Sequence, residues 1–204
     1  MTNFDLTVSD EGEMDGTFSV AREGYEAQKM RNTYNSKGEE SYVNELASAS
    51  QWELRNSKFE NAKILTEAVK ESYEVKISQH AQQAGDAIYL NPFVIDKIED
   101  NPFKSETRTY PVDFGSASEH IILGKYTIPP GYAVEELPKP QVFMLPKAGA
   151  KYVYSLSQVG DKIQFMSQLN INQSIFAVDE YVNLREFYNH IVAKQNEQIV
   201  LKKK

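Results

Sequence analysis

Cysteine is absent from all 204 residues. Disulfides, thiolate metal ligands and a cysteine nucleophile are therefore excluded. The redox compartment stays open, because a thiol-free chain suits the cytosol and the periplasm equally. Long apolar runs are also missing. No uninterrupted stretch approaches the ~20 residues a helix needs to cross a bilayer, so no membrane span is expected. The opening Met1-Thr-Asn-Phe-Asp-Leu6 has no charged region followed by an apolar one, which argues against a signal peptide. It reads as the start of a strand, and a chain that opens inside a strand is expected to be cut from something longer. Positive charge is scarce as well. Lys and Arg number 22 against 29 Asp and Glu, a net charge of -7, so no nucleic-acid surface is expected. The one cationic run, Lys202-Lys203-Lys204, reads as a solvated tail.

What is present belongs to an ordinary globular protein, with 41% hydrophobic and 25% charged residues and enough length to bury a core. Phe4, Leu6 and Val8 alternate with polar residues, the period of a half-buried strand. Alternation resumes at Thr17-Phe-Ser-Val20 after Asp10-Glu-Gly-Glu-Met-Asp-Gly16, so the pair predicts a hairpin. The acidic cluster does not fit a calcium loop, since Gly12 and Met14 stand where oxygen ligands are needed. Between residues 24 and 49 the period becomes helical. Tyr25, Ala27, Met30 and Tyr34 make one apolar stripe; Tyr42, Val43 and Leu46 make another. Two helices are expected, with a break near Asn35 and a capping box from Ser36 to Glu39.

Strands follow at Trp52–Phe59, Tyr73–Ile77 and Ala87–Leu90, with His80 in a polar loop and Asn91-Pro92 as a break. The stretch 101–115 carries Pro102, Pro111 and Gly115 and reads as an extended connector. Its Phe103, Tyr110, Val112 and Phe114 are too apolar for a free linker, so it is expected to bury against both halves. His120 to Ile128 is apolar on both faces and suits a central strand. Short strands at Ala133–Leu137 and Gln141–Leu145 precede a hairpin, Lys151–Leu156 with Lys162–Ile171, turning at Val159-Gly-Asp161. The last helix, near 179–195, has Asp179 as its expected cap. Tyr181, Leu184, Phe187, Tyr188, Ile191 and Val192 form its buried stripe, while Arg185, Asn189 and Lys194 are expected in water. His190 is expected at the boundary, and Ile199–Leu201 adds a final strand. The expected architecture is mainly β: two packed, mostly antiparallel sheets, sandwich-like, with helices near 24–49 and 179–195. One structural unit, residues 1–204, is expected to contain a β/helix half, 1–100, and a β half with the terminal helix, 101–204.

No residue pattern selects a catalytic, cofactor-binding or metal-binding set. Asp113 and His120 lie close in sequence, but the serines beside them, Ser116 and Ser118, stand in a plain loop. Single Trp52 sits in a strand pattern, and the 12 tyrosines fit core stripes better than a sugar platform.

Four motifs carry a family resemblance: Asn101-Pro-Phe-Lys-Ser-Glu-x-Arg-Thr-Tyr-Pro-Val-Asp-Phe-Gly115, Ile128-Pro-Pro-Gly-Tyr-Ala-Val-Glu-Glu-Leu-Pro-Lys-Pro140, Glu180-Tyr-x-x-Leu-Arg-Glu-Phe187 and Val192-Ala-Lys-Gln-x-Glu-Gln-Ile-Val-Leu201, where x marks a position that carries none of it. They resemble the C-terminal domain of unknown function in bacterial transglutaminase-like proteins. The resemblance is specific over 101–204 and looser over 1–100. It implies a parent chain with a papain-like core carrying cysteine, histidine and aspartate. The cysteine has no counterpart here, and His80, His120 and His190 match no triad position. The resemblance thus implies a non-catalytic accessory domain without a cofactor. It would pack on, or limit access to, the catalytic core of the same parent, in the periplasm or cell envelope. The competing expectation is a free-standing module that binds peptide or glycan.

Overall fold

The computed structural model describes residues 1–204. In chain order the elements are β1 (Thr2–Val8), β2 (Met14–Arg22), α1 (Gly24–Lys37), α2 (Glu39–Ser50), β3 (Glu53–Glu60), β4 (Val69–Ile77), β5 (Ala81–Ala84), β6 (Ala87–Leu90), β7 (Val112–Asp113), β8 (Ser118–Thr127), β9 (Tyr132–Glu136), β10 (Gln141–Met144), β11 (Ala150–Val159), β12 (Lys162–Ile171), β13 (Ile175–Phe176), α3 (Tyr181–Gln195) and β14 (Ile199–Lys203). Eight strands form one large sheet in the order β10-β11-β12-β8-β1-β2-β4-β3. Four more, β5-β6-β14-β9, form a second sheet, and β7 pairs with β13 in a third. The fold is mainly β, as expected.

Every pair in the large sheet is antiparallel except β1 with β8, which run parallel with Thr2 opposite Ile122. That parallel seam joins strands more than a hundred residues apart in sequence. It needs close approach: a Cβ at Gly124 would lie 2.1 Å from the Phe4 ring, so glycine leaves room for the ring to pack on Tyr126 at 5.2 Å. Strict alternation decides the faces. Phe4, Leu6 and Val8 point inward, as do Phe18, Tyr73, Tyr126, Tyr152, Tyr154 and Phe165. One contiguous core runs from Trp52 and Tyr73 through Phe4 and Phe165 to Leu184 and Leu201. Each fully buried large apolar side chain in it contributes roughly 1.5–3 kcal/mol.

Two coverings lie over that inner face. Over β2, β4 and β3 sit α1 and α2. The break between them falls at Gly38 and not near Asn35, because Gly38 takes φ 82° and ψ 164°, a conformation closed to residues with a side chain. The expected capping box does not form, since Ser36 Oγ donates to the Thr33 carbonyl instead. Tyr25 is also not a core residue, being 78% exposed; Ala27 and Met30 carry the buried part of α1. Over the other strands lie α3 and the four-stranded sheet.

Helix α3 buries Tyr181, Leu184, Phe187, Tyr188 and Ile191 of its expected stripe and leaves Val192 half-buried. Its start differs from expectation. Asp179 makes no cap; a 3-10 turn spans Val178–Glu180, and the Glu180 carboxylate accepts the Ala177 N–H at 2.8 Å. Lys194, expected in water, is 2% exposed. Its ammonium stands 4.8 Å from the Tyr154 ring centre and pairs with Glu197 at 2.6 Å. A cation in the last turn also suits the negative end of the helix dipole.

The connector packs against α3 and β13, and its ring contacts all lie within residues 101–204, so the expected burial against both halves does not form. Phe103 meets the rings of Phe114, Tyr181 and Tyr188, and Val112 is buried. Tyr110 departs from expectation and is 76% exposed: its neighbours at 108 to 111 are exposed too, so no wall stands beside the ring.

Candidate functional site

The outer face of the large sheet has no covering layer. Its residues are those that alternate with the core set, so their register follows from the strand pairing. One row runs Ser157, Gln164, Lys125, Asp5, Thr17 across five strands. The next runs Ser155, Met166, Leu123, Asn3, Ser19. Together they line a shallow depression of about 610 Å³. Lys125 and Asp5 lie 3.9 Å apart on its floor. The remaining polar groups are neutral hydroxyls and amides. This set can exchange hydrogen bonds with a backbone or a polyol. Toward β10 the face is mixed: Val142 and Met144, 58% and 63% exposed on the edge strand, share it with Lys151, Gln168, Asn170 and Glu119, and Leu123, 37% exposed, lies in the depression itself.

The residues singled out in sequence do not meet. His80 bonds the Asn91 carbonyl at 2.9 Å, and burial pushes its imidazole below the ordinary value. His120 is exposed on β8 opposite Leu169. His190 stacks on Phe143 at 5.2 Å, a boundary residue as expected. Asp113 pairs in the small sheet opposite Ile175 and accepts the Gly115 N–H, while Ser116 and Ser118 are half-buried. The acidic stretch after β1 is a hairpin turn, closed by the Gly12 N–H donating to the Ser9 carbonyl at 3.1 Å. In it Glu13 pairs with Lys76 at 3.0 Å, and that bond holds its carboxyl below the usual range. Trp52 is buried, edge-on to Phe18 at 5.1 Å, so its ring offers no platform to a sugar.

A buried polar cluster escaped the sequence reading. Glu71 on β4 is fully enclosed beneath α2. Its carboxylate accepts from Arg22 at 2.7 Å, Tyr42 at 2.8 Å and Tyr73 at 2.9 Å. Burial, then the Glu71 charge, pushes both phenols up. Nearby Arg31, also buried, donates from one guanidinium nitrogen to the carbonyls of Asn61, Ile64 and Glu67. The paired donors are consumed in holding the fold, and the Arg31 Nε is buried without a partner. The alternating pattern hid Glu71 because it occupies an inward position that sequence period alone assigns to an apolar residue.

The family profile of a domain of unknown function with solved structure, DUF3858, matches residues 86–201. The chain belongs to that family. The DUF3858 region begins just before β6, earlier than residue 101, and the topology explains why: β6 pairs directly with β14 at the far end of the region. It takes in β6 through most of β14, leaving β1 to β5 and the helical hairpin outside. No curated protein matches the chain. Among solved structures, one described as a "putative protease" from Parabacteroides distasonis ATCC 8503 aligns at 16% identity and a TM-score of 0.42, over 48% of this chain. The aligned part spans 19% of that protein's length.

Proposed function

We propose that this chain is a non-catalytic accessory module of a transglutaminase-like protein, one that works in the periplasm or cell envelope and docks on its parent's catalytic core. The observation that carries the reading is the open face of the large sheet. It presents apolar Leu123 within a polar depression and Val142 and Met144 beyond it, on a chain whose other large apolar residues are mostly enclosed. An uncovered face of this kind suits a partner surface. The four motifs that resemble the C-terminal end of transglutaminase-like proteins support the choice of partner, and the missing thiol supports a role without chemistry of its own.

The test uses the purified chain and the cysteine-containing core of the parent, expressed separately. The chain alone is expected to turn over neither a glutamine donor nor a peptide, and to bind the core in titration calorimetry. Leu123→Glu should weaken that binding at least tenfold without lowering the thermal midpoint. Turnover by the chain alone, or no interaction with the core, refutes the proposal.

The second reading, a peptide-binding module, is favoured by the same depression, whose hydroxyls and amides fit an extended backbone. A glycan is a poorer fit, because Trp52 is enclosed.

A further inference from the structure

The large sheet has two outer strands, and they are built differently. β3 carries Glu53, Arg55, Lys58 and Glu60, and its pairing with β4 is interrupted by a bulge between Arg55 and Lys58. Charges and bulges are the ordinary protection of a sheet edge. The other outer strand, β10, reads Gln-Val-Phe-Met and has neither. Nothing pairs with its outer edge.

The register says which backbone groups are free. Leu145 N–H donates to the Ala150 carbonyl at 2.9 Å, so bonds to β11 alternate through 145, 143 and 141. The N–H and C=O groups of Val142 and Met144 therefore point away from the sheet. Their side chains lie on the open face, Val142 opposite Val153 and Met144 opposite Lys151. An incoming strand would meet free backbone groups at two residues and apolar contacts at the same two.

Charge narrows the partner. Lys139 and Lys147 flank the strand and Lys151 stands beside it, all exposed and none within 4.0 Å of a carboxylate. Glu119, on the same side of the sheet, is three strands from β10 and engaged by Gln168 and Asn170. Three unpaired cations here are conspicuous on a chain of net charge -7. They would repel a second copy presenting the same edge, and Pro140 and Pro146 keep the pairing too short for a stable homodimer. They would attract an acidic strand.

We propose that β10 is a docking edge for an extended acidic peptide: two apolar residues at alternate positions, flanked by Asp or Glu, adding as a ninth strand. The inference stands whether or not the chain serves a catalytic core.

The probe is a fluorescein-labelled peptide, Asp-Glu-Val-Thr-Val-Thr-Asp-Glu, titrated against the full chain by anisotropy. Saturable binding is expected, with hydrogen-exchange protection at Val142 and Met144. Met144→Pro removes an outward N–H and leaves the β10–β11 bonds intact, so the fold should hold while affinity falls about tenfold or more. Val142→Lys, which keeps every backbone group, serves if the proline variant misfolds, and it should weaken binding likewise. Reversing Lys139, Lys147 and Lys151 to Glu should weaken binding about tenfold or more and invert its salt dependence, so that added salt strengthens the binding that is left. The proposal is overturned by equal binding of a peptide with Lys at its ends, by unchanged binding to the folded edge variants, or by no saturation at millimolar peptide. A wild-type dimer in sedimentation that Met144→Pro dissolves would assign the edge to a second copy and overturn it too.

Discussion

The two ends of the large sheet are covered in opposite ways. At the β3 end, α1 and α2 bring little apolar surface: α2 has no buried residue, and α1 buries Ala27, Met30 and the charged Arg31. Contact there relies on the half-buried rings of Tyr34, Tyr42 and Phe59 and on the Glu71 and Arg31 hydrogen bonds. At the β10 end, α3 inserts five large apolar side chains into the main core. An apolar interface tolerates small shifts because it is non-directional. A polar one holds only in one geometry, and losing one partner strands the others. The same sheet thus carries one cover fastened by burial and another by a few directional bonds. The family region contains the first cover and excludes the second.

The most severe test of this contrast is Phe187→Ala. The ring is 4% exposed, and its removal should cost about 3–5 kcal/mol. Because the core is contiguous, Trp52 fluorescence at the opposite end should report the same lowered denaturant midpoint as far-ultraviolet circular dichroism. Separate midpoints would show that the two ends unfold independently.

Glu71→Ala attacks the other cover. It leaves Arg22, Tyr42 and Tyr73 without their shared acceptor. Arg22 keeps 28% side-chain exposure and can rehydrate, so the loss should fall at the lower end of about 3–5 kcal/mol. Hydrogen exchange should rise in α1 and α2 and stay unchanged in α3. Equal loosening of both covers would break the comparison.

Buried phenols supply a test by pH. Burial pushes Tyr188 up to about 12. An unfolded tyrosine ionises near 10, so above that pH the unfolded state releases protons that the folded state keeps, and stability falls as pH rises through 10 to 12. Below pH 9 this group contributes no slope. Tyr188→Phe should be near neutral at pH 7 and recover about 2–3 kcal/mol of the alkaline loss at pH 12. A wild-type slope in the variant would mean that Tyr188 is solvated.

Most of the β framework was legible because alternation survives wherever one face is enclosed: the first hairpin, the long second hairpin, β4, β6, β8 and β14 stand where the residue pattern places them. The α3 stripe was legible for the same reason. What failed was decided by partners distant in sequence. Lys194 looked solvated because nothing local announces Tyr154 beneath it. The parallel β1–β8 seam has no local signature, and neither does the Glu71 cluster. One signal does stand in the residues themselves. Asn91-Pro-Phe93 and Asn101-Pro-Phe103 repeat ten residues apart. In both, the asparagine side chain accepts the Phe N–H at 2.8 Å and donates to a carbonyl of α3, Gln195 for the first and Arg185 for the second. The open face was the least legible feature, because strand patterns tell inside from outside but not whether the outside is covered.

The smallest expected effect concerns the connector, where position in one short stretch separates an anchor from a bystander. Phe103 and Tyr110 are both large aromatics between the two prolines. Phe103 is held in place by a turn: Asn101 accepts its N–H, Arg185 donates to its carbonyl at 3.3 Å, and three rings surround it. Tyr110 sits where the chain runs over the surface, 76% exposed, and its hydroxyl makes no hydrogen bond within the protein. Burial, not residue type, determines what truncation costs. Tyr110→Ala should therefore change stability by about 0.5 kcal/mol or less, with Trp52 fluorescence and circular dichroism still superimposable in denaturant. A loss above about 2 kcal/mol would mean that the ring is buried in solution against one of the covers, and the connector would then be an anchor along its whole length.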